Sequence, residues 1–173
     1  LQSNLLNLGI LSEVEAGLNE LGLRPQKIFD AEADPGLGNG GLGRLASAFM
    51  DAMASVGMAG NGNGIRYQYG LFKQAIVNGY QVELPDDWMR NGFAWETRKE
   101  NRAVTVKFGG WVELRASRSG NLRVTYHNTD DVLAVPYDVA MVGYHNQVVN
   151  NLRLWSAEAP INAGTDFTLE QKE

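Results

Sequence analysis

Over the first 34 residues apolar positions recur at three- and four-residue intervals, the spacing of helices with one buried face. Ser12 and Glu15 fit a capping box, Val14, Leu18 and Leu21 fall on one face, and Gly22 is placed to end that helix. Pro25 is suited to open a short acidic helix after it. Leu42, Leu45, Phe49, Met53 and Val56 repeat at helical spacing with Arg44, Ser47, Asp51 and Ser55 between them, and Gly57 stands where a C-terminal stop belongs. Beyond Gly64 the texture changes to strands: Ile65 to Tyr69, then Phe72 to Val77 and Tyr80 to Leu84, joined by Asn78-Gly79, a two-residue hairpin signal. Further strands are expected over Val104 to Phe108, Trp111 to Arg115, Leu122 to Tyr126, Val132 to Tyr137 and Val148 to Trp155, broken at Gly109-Gly110 and Ser119-Gly120. Thr97 to Arg102 reads as a charged, exposed loop. The pattern predicts an α/β chain, helical over 1–34, a glycine loop and helix over 35–57, and mostly strands over 64–157.

At 173 residues and 44% hydrophobic content, the chain is long enough for one domain or part of one. A net charge of -5 without a Lys/Arg block gives no basic stripe for nucleic acid and no patch for an anionic membrane. No apolar run approaches the roughly 20 residues of a membrane span. With no cysteine, disulfides and thiolate chemistry are excluded, and with only His127 and His145 a protein-built zinc site is not expected. A cytoplasmic protein fits these features. The chain opens on Leu1 and stops at Gln171-Lys172-Glu173 in helix-forming sequence, so it is expected to be a piece of a longer protein.

Asp34 to Gly43 holds five of the 20 glycines. A glycine-rich turn before a helix can bring the unpaired amides of the first turn against a phosphate, where the helix dipole also favours negative charge. Gly40, Gly41 and Leu42 are the natural donors, a Cβ at Gly40 or Gly41 is expected to obstruct both turn and anion, and Asn39 can cap the helix or bond the ligand. The alternative is a glycine corner that only lets helix and sheet pack closely. Gly36, Gly38 and Gly41 also match the bare G-x-G-x-x-G of dinucleotide binders, but the preceding Phe29-Asp30-Ala31-Glu32-Ala33-Asp34 is acidic rather than an apolar strand, and no carboxylate follows near Gly60 to Gly64. Gly43 is followed by Arg44, so there is no Walker motif.

Gly36 to Ala46, Gly-Leu-Gly-Asn-Gly-Gly-Leu-Gly-Arg-Leu-Ala, closely resembles the signature of the glycogen and maltodextrin (α-glucan) phosphorylases. Gly64-Ile65-Arg66-Tyr67-Gln68-Tyr69-Gly70, Asp86-Asp87-Trp88 with Trp95-Glu96, Pro136-Tyr137-Asp138, Gly143-Tyr144 and Leu152 to Ala157 match further family segments in the same order, and Asn4 to Gly9 resembles a family helix. The resemblance covers Leu1 to about Pro160. Gly60-Asn61-Gly62-Asn63 departs from it, standing where many members carry aromatic residues, and so does the tail from Ile161 to Glu173.

The resemblance implies part of the N-terminal Rossmann-like domain of a two-domain, GT-B type glycosyltransferase, with β-hairpin excursions. It implies phosphorolysis: inorganic phosphate cleaves the terminal α-1,4 bond of a glucan with retention and releases glucose 1-phosphate, with pyridoxal phosphate as cofactor. Asn39, Gly40, Gly41 and Leu42 would then face the substrate phosphate and the glucosyl site. The family's Schiff-base lysine and remaining catalytic groups lie beyond Glu173, so no catalytic residue is assigned within the chain and it is expected to be inactive alone. The longer protein is expected to be a homodimer. The rival reading is a non-catalytic carbohydrate- or phosphate-binding module.

Lys27, Lys73, Lys99, Lys107 and Lys172 read as surface charge. Trp88, Trp95, Trp111 and Trp155 are expected in the core. Adjacent Asp86 and Asp87 point apart in an extended segment and cannot form a glycosidase pair. His127 and His145 lack a recognisable carboxylate or nucleophile nearby and read as structural, and Arg66 and Arg153 as partly buried ion pairs.

Overall fold

The structure is a computed structural model that describes residues 1–117 and 120–160. The tail expected to depart from the family, with Lys172, and Ser119 of the Ser119-Gly120 turn lie outside the described residues. The chain forms two compact units, Leu1–Thr97 with Tyr137–Leu154, and Arg98–Pro136 with the residues from Trp155 onward.

The first unit opens with α1 (Gln2–Leu8), α2 (Leu11–Glu20) and α3 (Pro25–Phe29). Gly9 ends α1 in the left-handed conformation, and Gly22 takes the same conformation after α2, as expected of glycines that stop helices. The capping box does not form: α2 starts one residue before Ser12, which places the hydroxyl inside the first turn, where it donates to the Glu13 carboxylate. Val14 and Leu18 are half-buried while Leu21 is exposed. Pro25 opens α3, whose acidic neighbours Asp30 and Glu32 fall after its end.

The helix after the glycine loop is α4 (Gly41–Ser55), closed by Gly57 at positive φ. The face that it buries differs from the expected one. Met50 and Ala54 are its buried residues, whereas Leu42, Leu45, Phe49 and Val56 are exposed. What decides the face is a set of amides from elsewhere in the unit. Asn7, itself buried, donates to Asp51 Oδ1 (3.1 Å) and to the Val142 carbonyl (2.8 Å), and Asn146 donates to the Ala54 and Ser55 carbonyls at the helix end.

β1 covers Asn61–Ile65 rather than Ile65 to Tyr69. The glycines that make this stretch a poor strand by propensity are what admits it: a Cβ on Gly62 would lie 2.8 Å from Leu152 Cδ1 and 3.0 Å from Met50 Sδ. Buried Asn150 holds the strand's approach, accepting from the Gly60 amide (3.1 Å) and donating to the Met58 carbonyl (2.9 Å). β2 (Lys73–Val77) and β3 (Tyr80–Leu84) form the expected hairpin, with Asn78 and Gly79 both at positive φ as a type I′ turn requires. Where a loop was expected the chain forms β4 (Glu96–Arg98) and a 3₁₀ turn (Glu100–Arg102), because Arg66 grips Glu96 and the Lys99 amide bonds the Pro136 carbonyl. In sheet order β1 neighbours β9 (Val149–Glu158), β9 neighbours β8 (Asp130–Val142), and β8 neighbours β4. Leu5, Phe29, Met50, Ala54, Trp88, Val139 and Leu154 form the core of this unit.

In the second unit β5 (Val104–Phe108) pairs antiparallel with the start of β8, and Val135 and Pro136 are fully buried. β6 (Trp111–Ala116) and β7 (Leu122–His127) form an antiparallel hairpin of two unlike faces. Cross-strand pairs Trp111 with His127, Glu113 with Thr125 and Arg115 with Arg123 make one face; Val112 with Tyr126, Leu114 with Val124 and Ala116 with Leu122 make the other. Trp111 is therefore not a core residue: it is 54% exposed and stacks on the His127 ring, with centroids 4.2 Å apart. Trp88 is buried and Trp95 and Trp155 half-buried, nearer the expectation.

Candidate functional site in the glycine loop

The loop before α4 carries two kinds of glycine. Gly36, Gly38 and Gly43 are sterically committed: a Cβ on Gly36 would lie 2.6 Å from Gly70 Cα, and Gly38 and Gly43 face each other so closely that neither tolerates one. Gly40 and Gly41 are not, since a Cβ built on either meets nothing within 4 Å. The expectation that a side chain there would obstruct the turn is corrected. The space in front of these two residues is open to a ligand.

Gly40 is the N-cap residue of α4 and has extended backbone. The expected cap from Asn39 is absent, because the cap position falls one residue later, on a residue without a side chain, and no side-chain bond closes this end. The first α4 turn bond runs from the Arg44 amide to the Gly40 carbonyl at 3.0 Å. The amides of Gly41, Leu42 and Gly43 therefore lie ahead of the helix's own bonding pattern, at the positive end of a 15-residue dipole. Leu42 is 86% exposed, so its amide sits beside a side chain that covers nothing.

A second wall stands beside the loop. The Tyr67–Leu71 segment is pinned from behind: the buried Trp88 indole donates to the Tyr67 carbonyl (3.2 Å) and the Gly70 amide to the Asp86 carbonyl (2.9 Å). Between this segment and Gly36, Leu37, Gly38 and Asn39 lies a cleft of about 440 Å³. A larger depression of about 720 Å³ lies over Asp86, Asp87, Trp88 and Trp95. Its acids are engaged separately: Asp87 pairs with Arg90 at 3.0 Å, Glu32 accepts from the Trp95 indole, and Asp86 lies against Gly70.

Two ion pairs expected from sequence form within the first unit. Arg66 bonds Glu96 through two nitrogens at 2.8 and 2.6 Å with its guanidinium 4.0 Å above the Tyr137 ring, and Arg153 bonds Asp138 at 2.7 and 2.8 Å. The Asp138 hydrogen bond raises the Arg153 pKa further. His127 does have a carboxylate neighbour that sequence reasoning missed, Glu113 at 3.2 Å, since only the cross-strand register brings residues 14 apart together. His145 donates its amide to the Asn7 carbonyl at positive φ and is structural. Among the described residues no group of three or more His, Asp or Glu could hold a metal ion.

Residues 18–173 match the family model of the carbohydrate phosphorylases. The chain belongs to the carbohydrate phosphorylase family. It is 51% identical over 158 residues to a glycogen phosphorylase of Bacillus subtilis, covering 91% of this chain and 20% of that protein. It is 45% identical over 170 residues to the brain form of human glycogen phosphorylase, covering 98% and 19%, and 45% identical over 159 residues to a glycogen phosphorylase of Synechocystis, covering 92% and 19%. The chain spans about a fifth of the length of these curated phosphorylases. No helix among the described residues is long and apolar enough to cross a membrane.

Proposed function

We propose that the chain is the part of an α-1,4-glucan phosphorylase that presents the glycine loop to substrate, within the N-terminal Rossmann-like domain of a two-domain, GT-B type enzyme. The observation that carries this reading is the open space before Gly40 and Gly41 at the uncapped start of α4. Phosphorolysis transfers the terminal glucosyl unit of glycogen or maltodextrin to inorganic phosphate and yields glucose 1-phosphate. The phosphate brings negative charge to a site that must hold it while the glucosidic oxygen leaves. Backbone amides aimed at that charge act at no reorganisation cost, which is how fixed donors lower such barriers. The Gly40, Gly41 and Leu42 amides would serve as these donors, with Asn39 bonding the sugar or phosphate beside them.

Pyridoxal phosphate would supply the proton-exchanging phosphate of the reaction. Among the described residues no lysine is fit to anchor it: Lys27, Lys73 and Lys107 are exposed, Lys107 pairing with Asp131 at 2.6 Å, and Lys99 is half-buried beside the 3₁₀ turn. The anchoring lysine is assigned to the longer enzyme, which would be a cytoplasmic homodimer. The test is phosphate-dependent release of glucose 1-phosphate from maltodextrin by the 173-residue chain and by the full-length product. Activity in the longer product alone is expected; activity in neither overturns the assignment.

A further inference from the structure

Five asparagines stand directly before a glycine: Asn39, Asn61, Asn63, Asn78 and Asn91. The pairing has a chemistry of its own. With no Cβ to shield it, a glycine nitrogen can reach the carboxamide carbon of the asparagine before it, and the backbone then acts as the nucleophile. What holds that nitrogen decides whether it does so, and the fold treats the five pairs differently. Gly62 and Gly64 lie inside β1, a strand hydrogen-bonded to β9. Asn78 and Gly79 are locked in a type I′ turn between paired strands, which resists the backbone rotation that ring closure needs. The Gly92 amide is committed to the Met89 carbonyl at 2.8 Å. Gly40 differs. Among the described residues its amide has no hydrogen-bond acceptor and the exposed Asn39 carboxamide no partner, and a Cβ on Gly40 meets nothing within 4 Å. The helix start adds a push, because attack requires the Gly40 nitrogen to give up its proton and the positive end of α4 favours the negative charge that results.

We propose that Asn39-Gly40 is a self-modification site, at which the Asn39 carboxamide is converted to a carboxylate and the loop's hold on phosphate is weakened. The Gly40 nitrogen bonds to Asn39 Cγ, the Cγ–Nδ2 bond breaks, and ammonia leaves carrying the amide proton. The succinimide so formed takes up one water, which opens it at one carbonyl or the other to give aspartate or isoaspartate. Either product sets a negative charge directly before the Gly40 to Leu42 amides, and isoaspartate also inserts a methylene into the backbone. The reaction rests on the loop alone, and its effect on phosphate rests on the phosphorylase reading.

The test holds the full-length enzyme in mildly alkaline buffer with and without inorganic phosphate. Peptide mapping by mass spectrometry follows all five asparagines, with isoaspartate separated from aspartate by chromatography. Asn39 is expected to convert at least roughly fivefold faster than Asn78 or Asn91, as for a nitrogen with no hydrogen bond to give up. Gly40→Ala, whose Cβ has room in the fold but crowds the nitrogen, should slow it. Bound phosphate should slow it too. Asn39→Asp, at an unchanged thermal midpoint, should raise KM for phosphate roughly fivefold, the repulsion of two unit charges in near contact in water. Conversion at Asn39 no faster than at Asn78 and Asn91 overturns the site. Fast conversion that phosphate leaves unchanged, together with a wild-type phosphate KM in Asn39→Asp, overturns the effect on phosphate and the phosphorylase reading of the loop with it, while the modification stands.

Discussion

Gly38 and Gly43, five residues apart across the start of α4, approach so closely that a Cβ on either would lie 2.8–2.9 Å from the other's Cα. The contact folds the loop back on the helix it feeds. Gly38→Ala or Gly43→Ala forces the two backbones apart, at a cost of about 1–3 kcal/mol for an overfilled site. Thermal unfolding should show a lowered midpoint for both, and none for Gly41→Ala, whose Cβ meets open space.

Gly41→Val separates packing from chemistry. A Cβ at Gly41 meets nothing within 4 Å among the described residues, and the valine side chain would extend into the space assigned to substrate. In the full-length enzyme turnover should fall by roughly 10²–10³, as for the loss of one aimed donor, because the side chain holds the substrate phosphate away from the amide, with the thermal midpoint little changed. Wild-type turnover in this variant would remove Gly41 from the site.

Arg66 is held by Glu96 and lies over Tyr137, with both charged side chains mostly buried. Arg66→Ala leaves the Glu96 carboxylate without its partner and should cost about 3 kcal/mol in unfolding free energy. Arg66→Lys should recover little of it, because an ammonium can neither bond both carboxylate oxygens in a fork nor stack flat on the ring. Denaturant unfolding of the three proteins checks the order.

Asn150 serves two backbone groups at once, the Gly60 amide and the Met58 carbonyl. Asn150→Ala leaves both without that partner, each unsatisfied group costing about 1–3 kcal/mol. Amide exchange at Gly60 should quicken with it, and an unchanged exchange rate would mean that β1 is held in place by its glycines alone.

Glu113 on β6 is bonded by Arg115 and, secondarily, by His127, and these bonds hold its carboxyl below the usual glutamate range. A carboxyl whose pKa is lowered by folding stabilises the folded hairpin above the unfolded-state pKa. That contribution is lost as pH falls through the lower folded value. The loss should therefore set in at pH below about 4.3, the ordinary glutamate value, and not near neutrality. Since His127 stacks on Trp111, tryptophan emission reads it. The acid transition should be present in wild type and missing from the curve of Glu113→Gln.

Where a signal was local, the sequence carried it. Asn78-Gly79 announces its turn because both residues must take positive φ, and the alternation over Val104 to Phe108 gives that strand to the residue. β1 was not legible, since Asn-Gly-Asn-Gly reads as loop until Asn150, ninety residues away in the chain, and Leu152 and Met50 are beside it. The buried face of α4 was hidden for the same reason: Asn7 and Asn146 choose it, and no periodicity within the helix records them. At the site, the glycine cluster was visible but its division was not. That Gly36, Gly38 and Gly43 answer to backbone while Gly40 and Gly41 answer to empty space is a property of three dimensions.

The β6–β7 hairpin carries one further consequence. Its two faces are opposite in character, so a shift of a single residue between the strands would exchange them wholesale. What forbids the shift is at the Trp111 end, where Gly110 sits at φ 65° and a Cβ there would be 2.2 Å from the His127 carbonyl oxygen. Only a bare α-carbon fits against that oxygen, so alignment is read from the backbone and not from the side chains above and below it. Gly110 is accordingly the position at which a side chain would cost the strands their alignment.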